Sequence, residues 1–309
     1  MFRVASVGEC MVELRHRSAT ELELAYGGDT LNFAVYLSRL ARDRGGRVDY
    51  VTAVGDDAYS DGMLAMWQAE GVGTELALRL PGRLPGLYTI RVDARGERSF
   101  TYWRSHSAAR ELLKDGRAER LGEVLSGYDL LYLSGITLSI LDPPQRTALL
   151  AIADAVRAAG GRVAFDSNYR PVGWPDRAAA QRAFDEILKR TDIALPTLED
   201  EQALFGVPDA RALADRLHRL GVAEVAIKRG PAGCFLSSAA FTGAVPAEPA
   251  PEVVDSTAAG DSFNAGYLAA RLQGAVPEAA ARLGTRIAAR VIAHRGAIIP
   301  AEAMTDFLP

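Results

Sequence analysis

The chain has 309 residues, 24% of them charged and 49% hydrophobic, with 35 Lys+Arg against 39 Asp+Glu and a net charge of −4. A mildly acidic balance with no long basic run argues against nucleic acid and anionic membrane as partners. Cys10 and Cys234 are too few for a disulfide framework, and His16, His106, His218 and His294 show no metal-ligand spacing, which excludes a disulfide-stapled fold and a zinc site.

Arg3, Glu9 and Glu13 interrupt Met1 to Leu14, so the start does not read as a signal peptide. No stretch approaches the roughly 18 apolar residues of a membrane helix. A soluble, cytoplasmic protein is expected. Phe2 to Val7 reads as a buried strand ending at Gly8. Asp29 or Thr30 caps a helix to about Asp43, with Leu31, Ala34, Val35, Leu37 and Leu40 on its apolar face. Val48 to Val54 is the next strand, and Asp61 to Gly71 is helical in pattern. Leu76–Leu80, Gly86–Asp93 and Glu97–Arg104 are short strand-like runs, with a turn signal at Asp93-Ala94-Arg95-Gly96. They predict an antiparallel excursion, a lid, with strands within about 10–27 and 76–105.

From Asp129 the pattern alternates. Strands are predicted at Leu130–Leu133, Arg162–Phe165, Asp192–Leu195 and Glu224–Lys228, with helices at Pro143–Ala159, Asp176–Arg190 and Asp209–Leu220 between them. Two further strands, Gly233–Ser237 and one around Val253, precede helices at Asp261–Gln273 and Pro277–His294. Repeated β-α-β units imply a parallel sheet with helices on both faces. With no repeat and no Gly/Ser linker, residues 1–309 read as one α/β domain carrying a small β lid. In such sheets ligands bind beyond the carboxyl ends of the strands, where polar clusters recur: Gly8-Glu9, Asp166 to Arg170, Pro196 to Asp200, and Arg229-Gly230.

Several chemistries drop out. The only lysines, Lys114, Lys189 and Lys228, follow Leu113, Leu188 and Ile227, so no P-loop exists. Gly8 is followed by Glu9, Cys10 and Met11, which removes a dinucleotide fingerprint, and no nucleophile elbow is present. Gly260-Asp261-Ser262 matches the start of an esterase block, but position 291 is Val where an Asp-x-x-His pair with His294 would need Asp.

The most informative stretch is Asp255-Ser256-Thr257-Ala258-Ala259-Gly260-Asp261-Ser262-Phe263. Small residues lead into a helix whose exposed N–H groups and partial positive charge suit an anion. Asp261 then sets a carboxylate beside bound phosphate, where it can take the proton of an attacking hydroxyl. Taken alone, Asp261 is as well read as a helix cap.

These residues resemble the C-terminal signature of the PfkB, or ribokinase-like, carbohydrate kinases. Gly27-Gly28-Asp29-Thr30-Leu31-Asn32 resembles their N-terminal signature, and Lys228-Arg229-Gly230-Pro231-Ala232-Gly233 their nucleotide loop. The three occur in family order along essentially the whole chain. Within the family, Gly8 to Met11, Gly86-Leu87-Tyr88, Tyr102-Trp103-Arg104, Asp166 to Pro171 and Arg295 to Pro300 are most similar to the group acting on 2-keto-3-deoxygluconate. The resemblance implies a three-layer α/β/α sandwich with a mostly parallel sheet, and ATP-dependent phosphorylation of that sugar acid's terminal hydroxyl. It places Gly28, Asp29, Asn32, Tyr88, Tyr102, Arg104, Arg170 and Asp261 at the sugar acid. It places Asn168, Arg170, Lys228, Gly230, Gly233, Ala258, Ala259 and Gly260 at the nucleotide. Asp261 is the base it implies, with the Ala259 and Gly260 amides as anion hole, and ATP and Mg2+ are the implied cofactors.

Arginine reads a carboxylate bidentately, which fits Arg104 and Arg170 to an acid substrate, although most of the chain's arginines are surface residues. Tyr88 and Tyr102 also fit cross-strand pairs of the hairpin. Many relatives have Gly where Ala258 stands. The family's Asn-x-x-Glu motif, linked to magnesium, falls on Thr197-Leu198-Glu199-Asp200, so Asp200 carries a shortened acid. Asp255 matches a site for a monovalent cation such as K+ in some relatives. A fructose, ribose or nucleoside kinase of the same fold and a catalytically inactive sugar-acid sensor are the alternatives. Leu78, Leu80, Tyr88 and Ile90 on an exposed lid with open edges lead us to expect a homodimer through it.

Overall fold

The computed structural model describes residues 1–92 and 98–307. Its strands in chain order are β1 (Phe2–Val7), β2 (Met11–His16), β3 (Leu22–Gly27), β4 (Gly46–Val54), β5 (Ala77–Arg79), β6 (Gly86–Val92) and β7 (Arg98–Trp103). They continue with β8 (Leu130–Ser134), β9 (Arg162–Asp166), β10 (Ile193–Ala194), β11 (Glu224–Lys228), β12 (Cys234–Ser237) and β13 (Thr242–Val245). The helices are α1 (Asp29–Ala41), α2 (Ala58–Ala69), α3 (Arg117–Leu125), α4 (Gly135–Ile140), α5 (Pro143–Ala158) and α6 (Arg177–Leu188), then α7 (Leu198–Phe205), α8 (Ala210–Arg219), α9 (Ala259–Leu272) and α10 (Pro277–Ile292).

Nine strands form the central sheet in the order β13-β12-β11-β10-β9-β8-β1-β4-β5. Pairing is parallel from β5 to β11, and β12 and β13 close one edge antiparallel. Successive side chains point to opposite faces, so each strand feeds two cores. Val4, Leu130 and Tyr132 pack on one face with α1, α9 and α10, while Ala5, Leu131 and Leu133 pack on the other with α5, α6 and α8. This is the expected α/β/α sandwich.

The lid is a separate four-stranded sheet, β3-β2-β6-β7. β2 pairs antiparallel with β3 and parallel with β6, and β6 pairs antiparallel with β7. The expected turn at Asp93–Gly96 lies outside the described residues.

Three expectations need correction. The Leu76–Leu80 run is not part of the lid: β5 extends the central sheet, Ala77 pairing with Thr52. Leu78 and Leu80 pack against the second core, and Tyr88 and Ile90 are buried with Met11 under the lid, so none of the four offers an exposed docking face. Among the described residues the exposed large hydrophobic side chains of the lid are instead Leu22, Leu24, Phe100, Tyr102 and Trp103. The last strand lies at Thr242–Val245, not around Val253. A turn in which Ser238 Oγ accepts from the Phe241 amide at 3.2 Å folds that segment straight back on β12.

Candidate active site

Two loops and a helix terminus meet beyond the carboxyl ends of the strands. The first loop runs from β1 into the lid and returns at Gly28. A Cβ on Gly28 would stand 2.2 Å from the Glu9 carbonyl oxygen, so only glycine lets the two passes of chain lie together. The start of α1 is then fixed on the sheet: Ser6 Oγ donates to the Thr30 carbonyl at 2.8 Å, and Thr30 Oγ1 lies 3.0 Å from the Tyr50 hydroxyl. Asp29 and Asn32 follow on its first turn. Asn32 Nδ2 donates to Asp261 Oδ2 at 2.8 Å, tying α1 to the first turn of α9. Asp29 accepts from Asn168 Nδ2 at 2.7 Å, so Asn168, expected beside a nucleotide, also braces the Gly-Gly-Asp turn.

The helix α9 begins at Ala259, after Ala258 in the left-handed conformation at φ +60°. An L-residue there carries about 1–2 kcal/mol of strain that glycine avoids, so the alanine is accommodated rather than preferred. Ala259, Gly260 and Asp261 line the main cavity. Lys228, 8% exposed, donates to Asp166 Oδ2 at 2.8 Å and to Asn264 Oδ1 at 3.2 Å. A Cβ on Gly260 would lie 3.4 Å from its ammonium, which sets that cation against the first turn of α9. Asn264 Nδ2 in turn donates to Asp166 Oδ2 at 2.7 Å and to the Tyr132 hydroxyl at 2.9 Å.

The main cavity has a volume of about 590 Å3. Asp29, Asp166 and Asp261 line it, against the cations Lys228 and Arg170. Burial first, and then the charge of Asp29, pushes the Asp261 carboxyl from its ordinary 3.8 up to about 8; the Asn32 bond and Lys228 oppose the rise. A second cavity of about 480 Å3 adjoins it, lined by Glu9, Tyr102, Arg104, Arg110 and Arg170, and shares Met11, Gly28, Asp29, Tyr102 and Arg170 with the first.

Tyr88 and Tyr102 face the cavity from neighbouring lid strands, their rings 5.8 Å apart. The Tyr88 hydroxyl donates to Glu13, which also pairs with Arg15 at 3.0 Å. Arg104 pairs with the buried Glu9 and Arg170 with Asp200 at 3.3 Å, so both arginines expected to read a carboxylate already have an acid partner. Asp200 also accepts from the Tyr169 amide at 3.2 Å, and burial raises its carboxyl pKa against the pull of Arg170. It lines neither cavity; Thr197 lines the main one. Gly230 and Gly233 also lie outside both. Asp255 accepts from the Thr257 amide at 2.9 Å and the Gly296 amide at 3.1 Å, shaping the approach to α9. Sequence reasoning missed the roles of Glu9, Glu13, Asp166, Asn264 and Arg110. Only Glu9 and Asp166 carried a signal, as acids directly following predicted strands.

Among the described residues no helix is long and apolar enough to cross a membrane. A parallel α/β/α sandwich whose lid covers a helix terminus bearing a buried acid is the architecture of small-molecule kinases of the ribokinase type. The sequence profile of the pfkB family of carbohydrate kinases matches residues 1–304, and the chain belongs to that family. It is 48% identical over 304 residues to a 2-dehydro-3-deoxygluconokinase of Dickeya dadantii, covering 97% of this chain and 98% of that one. It is 46% identical over 305 residues to the enzyme of the same name from Escherichia coli K12, covering 98% of each. Among solved structures, an Escherichia coli candidate ribokinase II in complex with ATP and Mg2+ superposes with a TM-score of 0.84 at 24% identity, covering 99% of both chains.

The raised Asp261 carboxyl has a consequence for stability. Between its ordinary value of 3.8 and about 8 the folded protein keeps a proton that the unfolded chain has released, so stability falls as pH rises through that window. Asp261→Asn removes the titration. The variant is expected to melt above wild type at pH 8.5 and to converge with it near pH 4; parallel melting profiles across that range would contradict the burial.

Proposed function

We propose that this chain transfers the γ-phosphoryl group of ATP to the terminal hydroxyl of 2-keto-3-deoxy-D-gluconate, the acid also called 2-dehydro-3-deoxygluconate, giving 2-keto-3-deoxy-6-phosphogluconate. The observation that carries the chemistry is the Asp261 carboxyl, raised to about 8 beside the open N-terminus of α9. A carboxylate of ordinary acidity is a weak base at neutral pH, and one with a pKa near the working pH accepts a proton far more readily. Asp261 takes the hydroxyl proton, the freed oxygen attacks the γ-phosphorus, and the bond to the ADP oxygen breaks. The Ala259 and Gly260 amides and the positive end of α9 receive charge developing on the transferred group. Lys228, held by Asp166 and Asn264, adds a fixed cation on the same side.

The cradle fits a nucleotide polyphosphate: the Ala259 and Gly260 backbone lines the cavity, the Ala259 amide held only by a long 3.3 Å bond to the Ser256 carbonyl, with a cation against Gly260 and no side chain on Gly260 to block approach. Mg2+ bound with the nucleotide supplies neutralisation of phosphate charge. Asp200, which lines neither cavity and is paired with Arg170, would act on such an ion through intervening water, with phosphate oxygens and water as the direct ligands. Asp255 is the assignment for a monovalent cation such as K+. The acid substrate is supported by the names of the relatives and by the arginines at the lid end of the cavities. Lid closure over the site would exclude water and suppress hydrolysis of ATP.

Asp261→Asn is expected to lower kcat by about 10²- to 10⁴-fold in an ADP-release assay with 2-keto-3-deoxygluconate, with the KM for ATP nearly unchanged. Wild-type turnover by the variant would remove Asp261 as base. Fructose turned over faster than the sugar acid by the wild type would favour the neutral-sugar reading, and silence on a panel of both would favour a sensor.

We also assign a homodimer through the outer face of the lid, where Leu22, Leu24 and Trp103 stand exposed on the side opposite Tyr88 and Tyr102. Light scattering is expected to give twice the 33.1 kDa chain mass, and Trp103→Glu to halve it; a monomer at micromolar concentration would dismiss the assignment.

A further inference from the structure

The cavity at the lid end is lined by three arginines, and their charges are not equally available. The guanidinium of Arg104 is matched by Glu9, and that of Arg170 by Asp200. Arg110 lines the same cavity, yet among the described residues no carboxylate lies within ion-pair distance of its guanidinium. Its neighbour Arg146, whose pKa burial lowers while the Asp142 carboxylate opposes and the Arg110 charge adds to the fall, spends its guanidinium on the Leu138 and Leu141 carbonyls at 2.9 and 3.0 Å and over the Trp174 ring. A guanidinium that faces a cavity with no acid partner is a place where an anion is favoured.

The backbone carrying Arg110 is firmly held. It sits in the 3-10 turn Ala108–Glu111, whose Arg110 carbonyl accepts from Gln145 Nε2 at 2.9 Å and whose Ala108 amide donates to the Leu84 carbonyl at 2.9 Å. The cavity wall also holds a second unmet group, since Glu9 is 2% exposed and its Oε1 has no hydrogen-bond partner. An uncompensated guanidinium and a buried acceptor in one wall match a substrate end that carries a carboxylate next to hydroxyl groups.

We propose that Arg110 is a specificity-determining residue of this kinase, receiving the substrate carboxylate as the one arginine of the lid-end cavity, among the described residues, whose charge no internal acid neutralises. Arg104 and Arg170, each neutralised by its own acid, then shape the pocket and donate hydrogen bonds. The assignment rests on the sugar-acid reading above and names the residue that makes the substrate an acid.

The test compares wild type, Arg110→Gln and Arg110→Lys in ADP release with 2-keto-3-deoxygluconate, beside melting temperature with 2-keto-3-deoxygluconate and without it. Arg110→Gln is expected to raise the KM for the sugar acid by about 10- to 100-fold with kcat and the KM for ATP little changed, and Arg110→Lys to recover part of the loss. An unchanged KM in a folded Arg110→Gln enzyme overturns the role of Arg110 while leaving the kinase reading intact. If wild type fails to turn over the acid, the kinase reading fails, and melting decides for Arg110. A stabilisation by the acid that Arg110→Gln abolishes upholds its role; equal stabilisation of both, or none of wild type, overturns it.

Discussion

A buried carboxylate surrounded by other carboxylates resists ionisation, and Asp261 is held in that situation by the packing of two helices. Its Oδ2 is fixed by Asn32 from α1, and Asp29 on the same helix turn supplies the like charge that raises its pKa after burial has done most of the work. Lys228 is the counterweight. Without it the cavity would hold Asp29, Asp166 and Asp261 beside the first turn of α9 with, among the described residues, no buried cation in its lining. The ion pair to Asp166, the Asn264 bridge and the Tyr132 hydroxyl keep that ammonium against Gly260 instead of free in the cavity. On the proposed function the anion site is a backbone site with one cation packed against its first turn, as suits a kinase-family chain with three lysines and no P-loop.

The lid completes the site from the other side through paired charges. Glu9 and Glu13 lie at and just beyond the junction of β1 with the lid, and each engages a residue brought in by the opposite lid hairpin: Arg104 after β7 and Tyr88 in β6. Because these acids are almost fully buried, removing either partner would leave an uncompensated group, so the contacts fix the lid's register over the cavity. On the assignment proposed above, the pairing of Arg104 and Arg170 leaves substrate discrimination to Arg110.

Much of this was legible in the residues. The β-α-β alternation after Asp129 follows from apolar runs of strand length separated by amphipathic ones, and β11 falls at Glu224–Lys228 as expected. Small residues before Asp261 located the start of α9 to within two positions. Gly28, Asp29, Asn32, Tyr88, Tyr102, Arg104, Arg170, Lys228 and Asp261 do converge on the two adjoining cavities. What could not be read is who pairs with whom. Arg104 and Glu9 are 95 residues apart, and Asn32 and Asp261 are 229 apart. No local pattern encodes such meetings, so Arg104 looked free when it is paired. For the same reason the Leu76–Leu80 run passed for a lid strand: its alternation reports a half-buried surface, not which sheet provides it.

The central claim is that neighbouring charge and burial tune Asp261 into a base for phosphoryl transfer. It is tested most directly by the pH dependence of kcat/KM for wild type and Asp29→Asn. The free-enzyme rate should rise with pH through an inflection near 8, and that inflection should move down when the Asp29 charge is removed. A profile flat across neutral pH, or an inflection that stays in place in Asp29→Asn, would contradict the account.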